Sequence, residues 1–134
     1  MSNNQRIETG LTNNRFEFEA EIEDPKTGLT TTFPMEIDTG NPVALAMPTY
    51  YESFFTEHIT TVNLGGAGSA NSPAYEAIIK RLGDMNLDYD TLAIMTLDNS
   101  TNYGLIGIEL LELFEAEIFD SPDNKKLSLE DTYM

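Results

Sequence analysis

Apolar and polar residues alternate strictly over the first regular stretch of the chain. From Phe16 to Glu23 every second residue is apolar, and each residue between them is a glutamate. This period of two predicts a strand with one buried face and one face in water. Turn-forming residues occupy positions 24–28, and the Thr-rich residues 29–37 predict a second strand that completes a hairpin. We interpret the glutamates as a solvated surface rather than a metal site, because carboxylates on one face repel each other.

Short apolar runs dominate the middle of the chain. Residues 43–47, 59–64 and 91–97 are rich in apolar and β-branched positions, which is typical of strands. Residues 48–55 lie between the first two runs and fit one or two helical turns. Residues 91–97 carry no charge, so this strand is expected to be buried on both faces.

Two structures remain open for residues 73–85. Ser72 and Pro73 suit the first positions of a helix, whose apolar residues would gather on one side. The same residues would also suit the returning arm of a long hairpin. Periodicity alone slightly favours the helix.

The C-terminal part of the chain predicts a short helix and a closing hairpin. In residues 108–114 the apolar positions are interrupted by glutamates at helical spacing. Residues 117–119 and 125–130 are strand-like and flank a turn. At the other end, residues 1–14 are polar without periodicity and predict a flexible arm before a single domain, residues 15–134. The predicted fold class is mainly β.

Composition excludes several classes of function. The chain has 134 residues with 23 Asp and Glu against 7 Lys and Arg, a net charge of −16, and no cysteine. The length suits one domain, and the missing cysteines exclude disulfides, thiol nucleophiles and cysteinyl zinc sites. So few cations argue against nucleic acid and against anionic membrane surfaces as partners. No signal-like or membrane-spanning apolar run is present, so we expect a cytoplasmic protein.

One segment is especially rich in glycine: Gly65, Gly66, Ala67, Gly68 and Ser69. Glycine permits positive φ and offers no side chain to pack, so a mobile tip is predicted here. A phosphate-binding loop is disfavoured, because the lysine of a P-loop is missing and the spacing fits neither glycine fingerprint.

Four polar residues have the alternate spacing of a calcium-binding loop: Asp84, Asn86, Asp88 and Asp90. The sixth loop position would be Tyr89 where glycine is needed, and the twelfth would be Met95 where glutamate is needed. A polar turn that leads into a strand is therefore favoured. The sequence predicts no metal site and no cofactor.

The triplet Asp38-Thr39-Gly40 directly follows the predicted strand that ends in Ile37. Such a triplet alone suits any turn. Together with Leu105-Ile106-Gly107 and the helix after it, the triplet resembles the retropepsin-like aspartic proteases, the single-domain family related to retroviral proteases. The resemblance extends from Arg15 to Glu130, which is nearly the whole chain.

This resemblance implies a specific β fold. It implies a closed β-barrel-like half of an acid protease, with a flap hairpin at about residues 62–79 and one short C-terminal helix. The family places the second flap arm at residues 74–82, and so favours a strand over a helix there. The apolar residues 44–48 match the family's short strand that ends near a proline.

The resemblance implies an aspartic endopeptidase with Asp38, Thr39 and Gly40 in its catalytic loop. Such enzymes need two aspartates about 3 Å apart that share one proton, because like charges so close do not both ionise cheaply. The chain has a single Asp-Thr-Gly, since the triplets that begin at Asp90 and Asp131 lack the glycine. The implied enzyme is therefore a homodimer that brings the Asp38 of each subunit together around a peptide or protein substrate.

The resemblance also gives roles to the surrounding residues. Thr39 would form a hydrogen bond across the dimer, and Gly40 would let the backbone pass close to the aspartates. Ile106 and Gly107 would pack beside the catalytic loop. The glycine-rich residues 65–69 would fold over an extended peptide and pair with its backbone. Asn41, followed by Pro42, departs from the Ala or Ser usual after the glycine, and is expected to alter the substrate groove.

Two alternatives to the enzyme remain at this point. Because of Asn41, the same fold could serve as a catalytically inactive dimerisation or peptide-binding module. Alternatively, an acidic β-rich domain could capture a cationic partner through its glutamate faces, with a strong dependence on salt.

Overall fold

The computed structural model describes residues 6–12, 15–38, 43–63, 71–96, 102–121 and 124–131. In these parts of the chain ten strands form one sheet. The strands are β1 (Arg6–Thr12), β2 (Arg15–Glu23), β3 (Thr30–Ile37), β4 (Leu45–Pro48), β5 (His58–Asn63), β6 (Asn71–Leu82), β7 (Met85–Thr96), β8 (Gly104–Ile106), β9 (Phe114–Ser121) and β10 (Asn124–Asp131). A 3₁₀ helix (Thr49–Phe54) follows β4, and the single-turn helix α1 (Ile108–Leu111) follows β8. No helix in the described residues is long and apolar enough to cross a membrane.

Six of the strands close into a barrel. Their order is β6, β7, β4, β8, β3 and β2, and pairing of β2 with β6 completes the ring. Strand β5 extends the sheet beyond β6, while β1, β10 and β9 extend it beyond β2. The mainly β fold with a closed barrel, predicted from the sequence, is therefore confirmed.

The hairpin of β2 and β3 follows from the alternating pattern of its sequence. Phe18, Ala20 and Ile22 are buried in the barrel, and the glutamates between them point away from the core. The two strands pair antiparallel, with Ala20 opposite Phe33. Gly28, at a φ of 75°, turns the chain between them. This hairpin was predicted correctly because one face is in water and the other is in the core.

Strand β6 corrects the helix that periodicity favoured for residues 73–85. Residues 73–82 belong to one long strand that pairs with β5, β7 and β2, residues 83–84 form a turn, and Met85 begins β7. The buried apolar residues of β6 are spaced unevenly: Ala74, Ala77, Ile79 and Leu82. The step of three from Ile79 to Leu82 spans a shift in the register with β7, between Ile79 and Arg81. Steps of two and three residues resemble the spacing on one face of a helix, which is why periodicity favoured a helix here. The strand predicted from the family resemblance is confirmed.

The N-terminal arm is also corrected in part. Residues 6–12 form β1, which pairs antiparallel with β10 along most of its length and with the start of β2. Ile7 is buried opposite Leu129. Main-chain hydrogen bonds to β10 and β2 build this strand, and its sequence has no strong alternation that a periodicity search could find. Residues 1–5 and 13–14 lie outside the described residues.

The C-terminal helix is shorter than predicted. Helix α1 ends at Leu111, with Leu110 and Leu111 buried, and Phe114 already begins β9 opposite Asp131. The predicted closing hairpin is confirmed as β9 and β10. The 3₁₀ helix fulfils the prediction of helical turns at residues 48–55.

Candidate active site

Asp38 is positioned by the sheet through its main chain. Strand β3 runs parallel to β8, with Ile37 opposite Ile106, and Asp38 comes immediately after β3. Its N–H donates a hydrogen bond of 2.9 Å to the carbonyl of Ile106, so the ladder continues for one residue beyond the strand. The side chain of Asp38 is half-buried. The aspartate of the predicted motif thus stands on a rigid strand end.

Strand β8 holds both ends of the loop that begins after Asp38. It lies between β3 and β4, with Ile106 opposite Leu45 in the antiparallel pair. Where the chain returns from the loop, Gly107 N–H donates to the carbonyl of Ala44 at 3.1 Å. Ile106 and Gly107, two residues predicted to support the site, therefore hydrogen-bond to the residues that enter and leave this loop.

Gly104 leaves room for two methionine side chains that pack under the site. A Cβ atom added to Gly104 would lie 2.6 Å from Met35 Cε and 2.6 Å from Met47 Sδ. Both methionines are fully buried, so their side chains have little room to move. Sequence reasoning missed Gly104, although a glycine within an apolar strand is a known sign of close backbone approach.

The other predicted residues of the site lie outside the described residues. They are the catalytic-loop residues Thr39, Gly40 and Asn41 and the flap residues Gly65, Gly66, Ala67, Gly68 and Ser69. The strands that lead to and from residues 64–70 are described. Strands β5 and β6 pair antiparallel as the arms of a hairpin, with Asn63 opposite Asn71.

Aromatic rings join the arms of this hairpin to the barrel. The ring of Phe33 packs 4.9 Å from Tyr51 and 6.1 Å from Phe55. Tyr75 on β6 lies 6.2 Å from Phe55 and 5.5 Å from the ring of His58 on β5. The buried Phe55 fits the core, whereas Tyr50 is 72% exposed.

A hydrogen bond between Tyr75 and Glu52 links the 3₁₀ helix to the same hairpin. The Tyr75 hydroxyl donates to Glu52 Oε2 at 2.7 Å. This bond to a carboxylate, with desolvation as a second cause, raises the pKa of Tyr75 above its usual 10.0. The neighbouring Tyr51 hydroxyl donates to the carbonyl of Asn102, just before β8. The two hydrogen bonds thereby join β6 and the segment before β8 to one short helix.

A second aspartate, Asp24, has a structural environment that the sequence did not reveal. It is fully buried at the turn between β2 and β3. Its carboxylate accepts hydrogen bonds from Thr56 Oγ1 at 2.6 Å, from Thr27 Oγ1 at 3.1 Å and from the N–H of Lys26 at 3.4 Å. Asp24 therefore ties the turn to the segment that enters β5.

The calcium-like spacing lies in a turn and a strand. Asp84 occupies the tight turn before β7, and three further polar residues alternate along the exposed face of that strand: Asn86, Asp88 and Asp90. Across the described ranges, no three His, Cys, Asp or Glu side chains are grouped as metal ligands. The prediction of a polar turn that leads into a strand is confirmed.

Comparison with known proteins supports the fold through structure alone. No protein-family model matches the chain, and comparison with characterised protein sequences gives no significant match. Among solved structures, the chain is similar to a retropepsin-like aspartic protease from Rickettsia conorii, with a TM-score of 0.63 and 12% sequence identity. The match covers 97% of this chain and 95% of that one. The chain therefore has the retropepsin-like fold over nearly its whole length.

Proposed function

We propose that this protein is an aspartic endopeptidase that acts as a homodimer and hydrolyses peptide bonds with a water activated between the Asp38 side chains of two subunits. One observation carries the proposal. In a retropepsin-like fold, the aspartate of the chain's single Asp-Thr-Gly follows a barrel strand and is fixed by a main-chain bond to Ile106. A half-buried carboxylate on a rigid support is suited to acid–base chemistry.

The chemistry needs one carboxylate from each subunit. One ionised aspartate accepts a proton from the water, and the protonated one donates a proton to the oxygen of the scissile carbonyl. Because one chain supplies one Asp-Thr-Gly, a two-fold axis next to Asp38 completes the site.

The surrounding residues position the reacting groups. Thr39 holds the two catalytic loops together across the dimer, and Gly40 lets the backbone approach the aspartates. Ile106 and Gly107 support both loop ends, consistent with their hydrogen bonds to Asp38 and Ala44. Asn41 lines the substrate groove, and the flap residues 65–69 cover the peptide and pair with its backbone.

Cleavage of a peptide library by the recombinant protein tests the activity. We expect cleavage at mildly acid pH and inhibition by a statine-type peptide that imitates the tetrahedral intermediate. Asp38→Asn should cleave about 10²–10⁴-fold more slowly. Asp84→Asn, an exposed aspartate in a turn, is the control and should cleave like the wild type. Equal cleavage by Asp38→Asn and the wild type would refute the assignment.

Subunit mixing tests the shared site. Wild-type chains are equilibrated with increasing amounts of Asp38→Asn at constant wild-type concentration, where the wild type is fully dimeric by sedimentation. If each site needs two Asp38 residues, activity falls in proportion to the fraction of wild-type partners. Activity that is independent of the added variant would show that one chain holds a complete site.

A further inference from the structure

The outer face of β3 places a second carboxylate beside Asp38. Side chains alternate along this strand, so that Phe33 and Met35 are buried while Pro34 and Glu36 face away from the core. The bond from Asp38 N–H to Ile106 continues the extended ladder. Asp38 therefore shares the face of Glu36, two residues and about 6.6 Å further along the strand.

The neighbours of Glu36 on this face are one acidic and one apolar side chain. Glu17 on β2 lies directly opposite Glu36 in the antiparallel register. Leu105 on β8 is its partner in the parallel register, and is half-buried where the following Ile106 is fully buried. Alternation along β8 thus puts Leu105 on the outer face as well. The face beside Asp38 combines negative charge with an apolar wall.

Four of the chain's seven lysine and arginine side chains lie beside acidic residues elsewhere. Lys26, Lys80, Arg81 and Lys126 lie within ion-pair distance of Glu57, Asp88, Glu21 and Glu8, respectively. Within the described part of the chain, the Glu36 carboxylate has no hydrogen bond or ion pair. The Glu36 carboxylate is therefore open to a cation that another molecule supplies.

We propose that Glu36 is a specificity-determining residue that selects substrates with a Lys or Arg side chain next to the scissile bond. The inference rests on the proposed endopeptidase activity and names its substrate class. A peptide whose scissile carbonyl lies at Asp38 passes its adjacent side chain over the same face. The aliphatic stem of Lys or Arg packs on Leu105 while its charged end reaches Glu36. Half-burial of Glu36 strengthens this attraction relative to a fully exposed pair.

Matched peptides test this preference. Two peptides differ only in the residue before the scissile bond, which is Lys in one and the uncharged norleucine in the other. We expect the wild type to have a kcat/KM at least about tenfold higher for the Lys peptide. Glu36→Gln keeps the size of the side chain and should lower this ratio towards one. Glu19→Gln, on the exposed part of the same face of β2, should leave the ratio unchanged.

Salt gives a second measurement on the wild type alone. The Lys to norleucine ratio should fall as ionic strength rises, because the discrimination is electrostatic. A wild type that cleaves both peptides equally, or a Glu36→Gln variant with the wild-type ratio, would overturn the role of Glu36 and leave the endopeptidase intact.

Inhibitor binding separates this inference from the proposed activity. Two statine-type peptides, one with Lys and one with norleucine at the same position, are titrated into wild type and Glu36→Gln by calorimetry. Tighter binding of the Lys compound, lost in the variant, supports Glu36 even if no peptide is cleaved and the endopeptidase proposal fails. Equal affinity for the two compounds, or binding of neither, overturns the inference.

Discussion

Two aspartates at opposite ends of strand β3 have different environments. Asp24 precedes the strand and is fully buried, and its carboxylate accepts three hydrogen bonds from its own chain. Asp38 follows the strand, is held through its main-chain N–H and keeps a half-buried side chain. Full burial among three donors makes Asp24 a structural residue, whereas partial exposure at the end of a strand suits the chemistry proposed for Asp38.

The largest expected effect separates activity from stability at Asp38. Asp38→Asn should lower kcat by about 10²–10⁴-fold, because the amide cannot act as the general base. The free energy of unfolding should change by less than about 1 kcal/mol, because the bond from the main chain to Ile106 remains. Peptide cleavage and urea unfolding measure the two quantities. A variant that loses stability and activity in parallel would place Asp38 with Asp24 as a structural residue.

The opposite result is expected at the buried aspartate. Asp24→Ala should lower the free energy of unfolding by about 2–3 kcal/mol, because it removes the acceptor for Thr56, Thr27 and the N–H of Lys26. The kcat of the folded fraction should stay close to that of the wild type. Urea unfolding of Asp84→Ala, at an exposed turn position, gives the matched control. A loss below about 0.5 kcal/mol would contradict the structural role.

The support under Asp38 gives a third expected effect. Gly104→Ala places a methyl group against Met35 and Met47, and should destabilise the fold by about 1–3 kcal/mol through overpacking. The matched control is Gly10→Ala, because a Cβ atom there would meet only the carbonyl of Lys125, at an ordinary 3.7 Å. Thermal unfolding compares the two variants. Equal unfolding temperatures would show that the side chains of Met35 and Met47 can move away from the added methyl group without loss of stability.

Local patterns predicted most of this fold, and long-range contacts account for what they missed. The β2–β3 hairpin was predictable because the alternation of apolar and polar residues shows which side chains face the core and which face water. The register shift in β6 and the pairing of β1 with a distant strand have no local signature. The same distinction applies to the site. The triplet at Asp38 is contiguous in sequence and could be found there. The role of Asp24 depends on its hydrogen bond from Thr56, and that of Gly104 on two methionine side chains from other strands.

The salt dependence of dimer formation tests the proposal that two subunits share one site. Each chain carries a net charge of −16, so the two subunits of the proposed homodimer would repel each other as Asp38 approaches its counterpart. Raising salt from about 0.05 M to 0.5 M should tighten the dimer severalfold by screening this repulsion. Sedimentation and activity should respond together at low protein concentration. A dimer that tightens while activity per chain stays constant would mean that Asp38 works within a single subunit.

A third carboxylate, Glu52, also accepts a hydrogen bond from its own chain, and its effect on stability should be smaller and appear at alkaline pH. Like the donors at Asp24, the Tyr75 hydroxyl donates to a carboxylate of its own chain, and this raises the pKa of Tyr75 above 10.0. Above about pH 10 the unfolded chain loses the phenol proton while the folded chain retains it. The unfolded state then binds fewer protons, so stability falls as pH rises through the folded pKa.

In Tyr75→Phe, the free energy of unfolding should fall less steeply with pH above about pH 10. The difference in slope should be smaller than the slope that one proton contributes. Some pH dependence should remain, because burial also raises the pKa values of Tyr51 and Tyr89. Urea unfolding between pH 8 and 11 measures the slope, with Tyr50→Phe as the control at a ring that is 72% exposed. Identical slopes for the two variants would mean that the Glu52 bond does not persist in solution. Glu52 would then differ from Asp24. The Asp24 carboxylate is fully buried and accepts three hydrogen bonds, whereas Glu52 would only lie close to a donor.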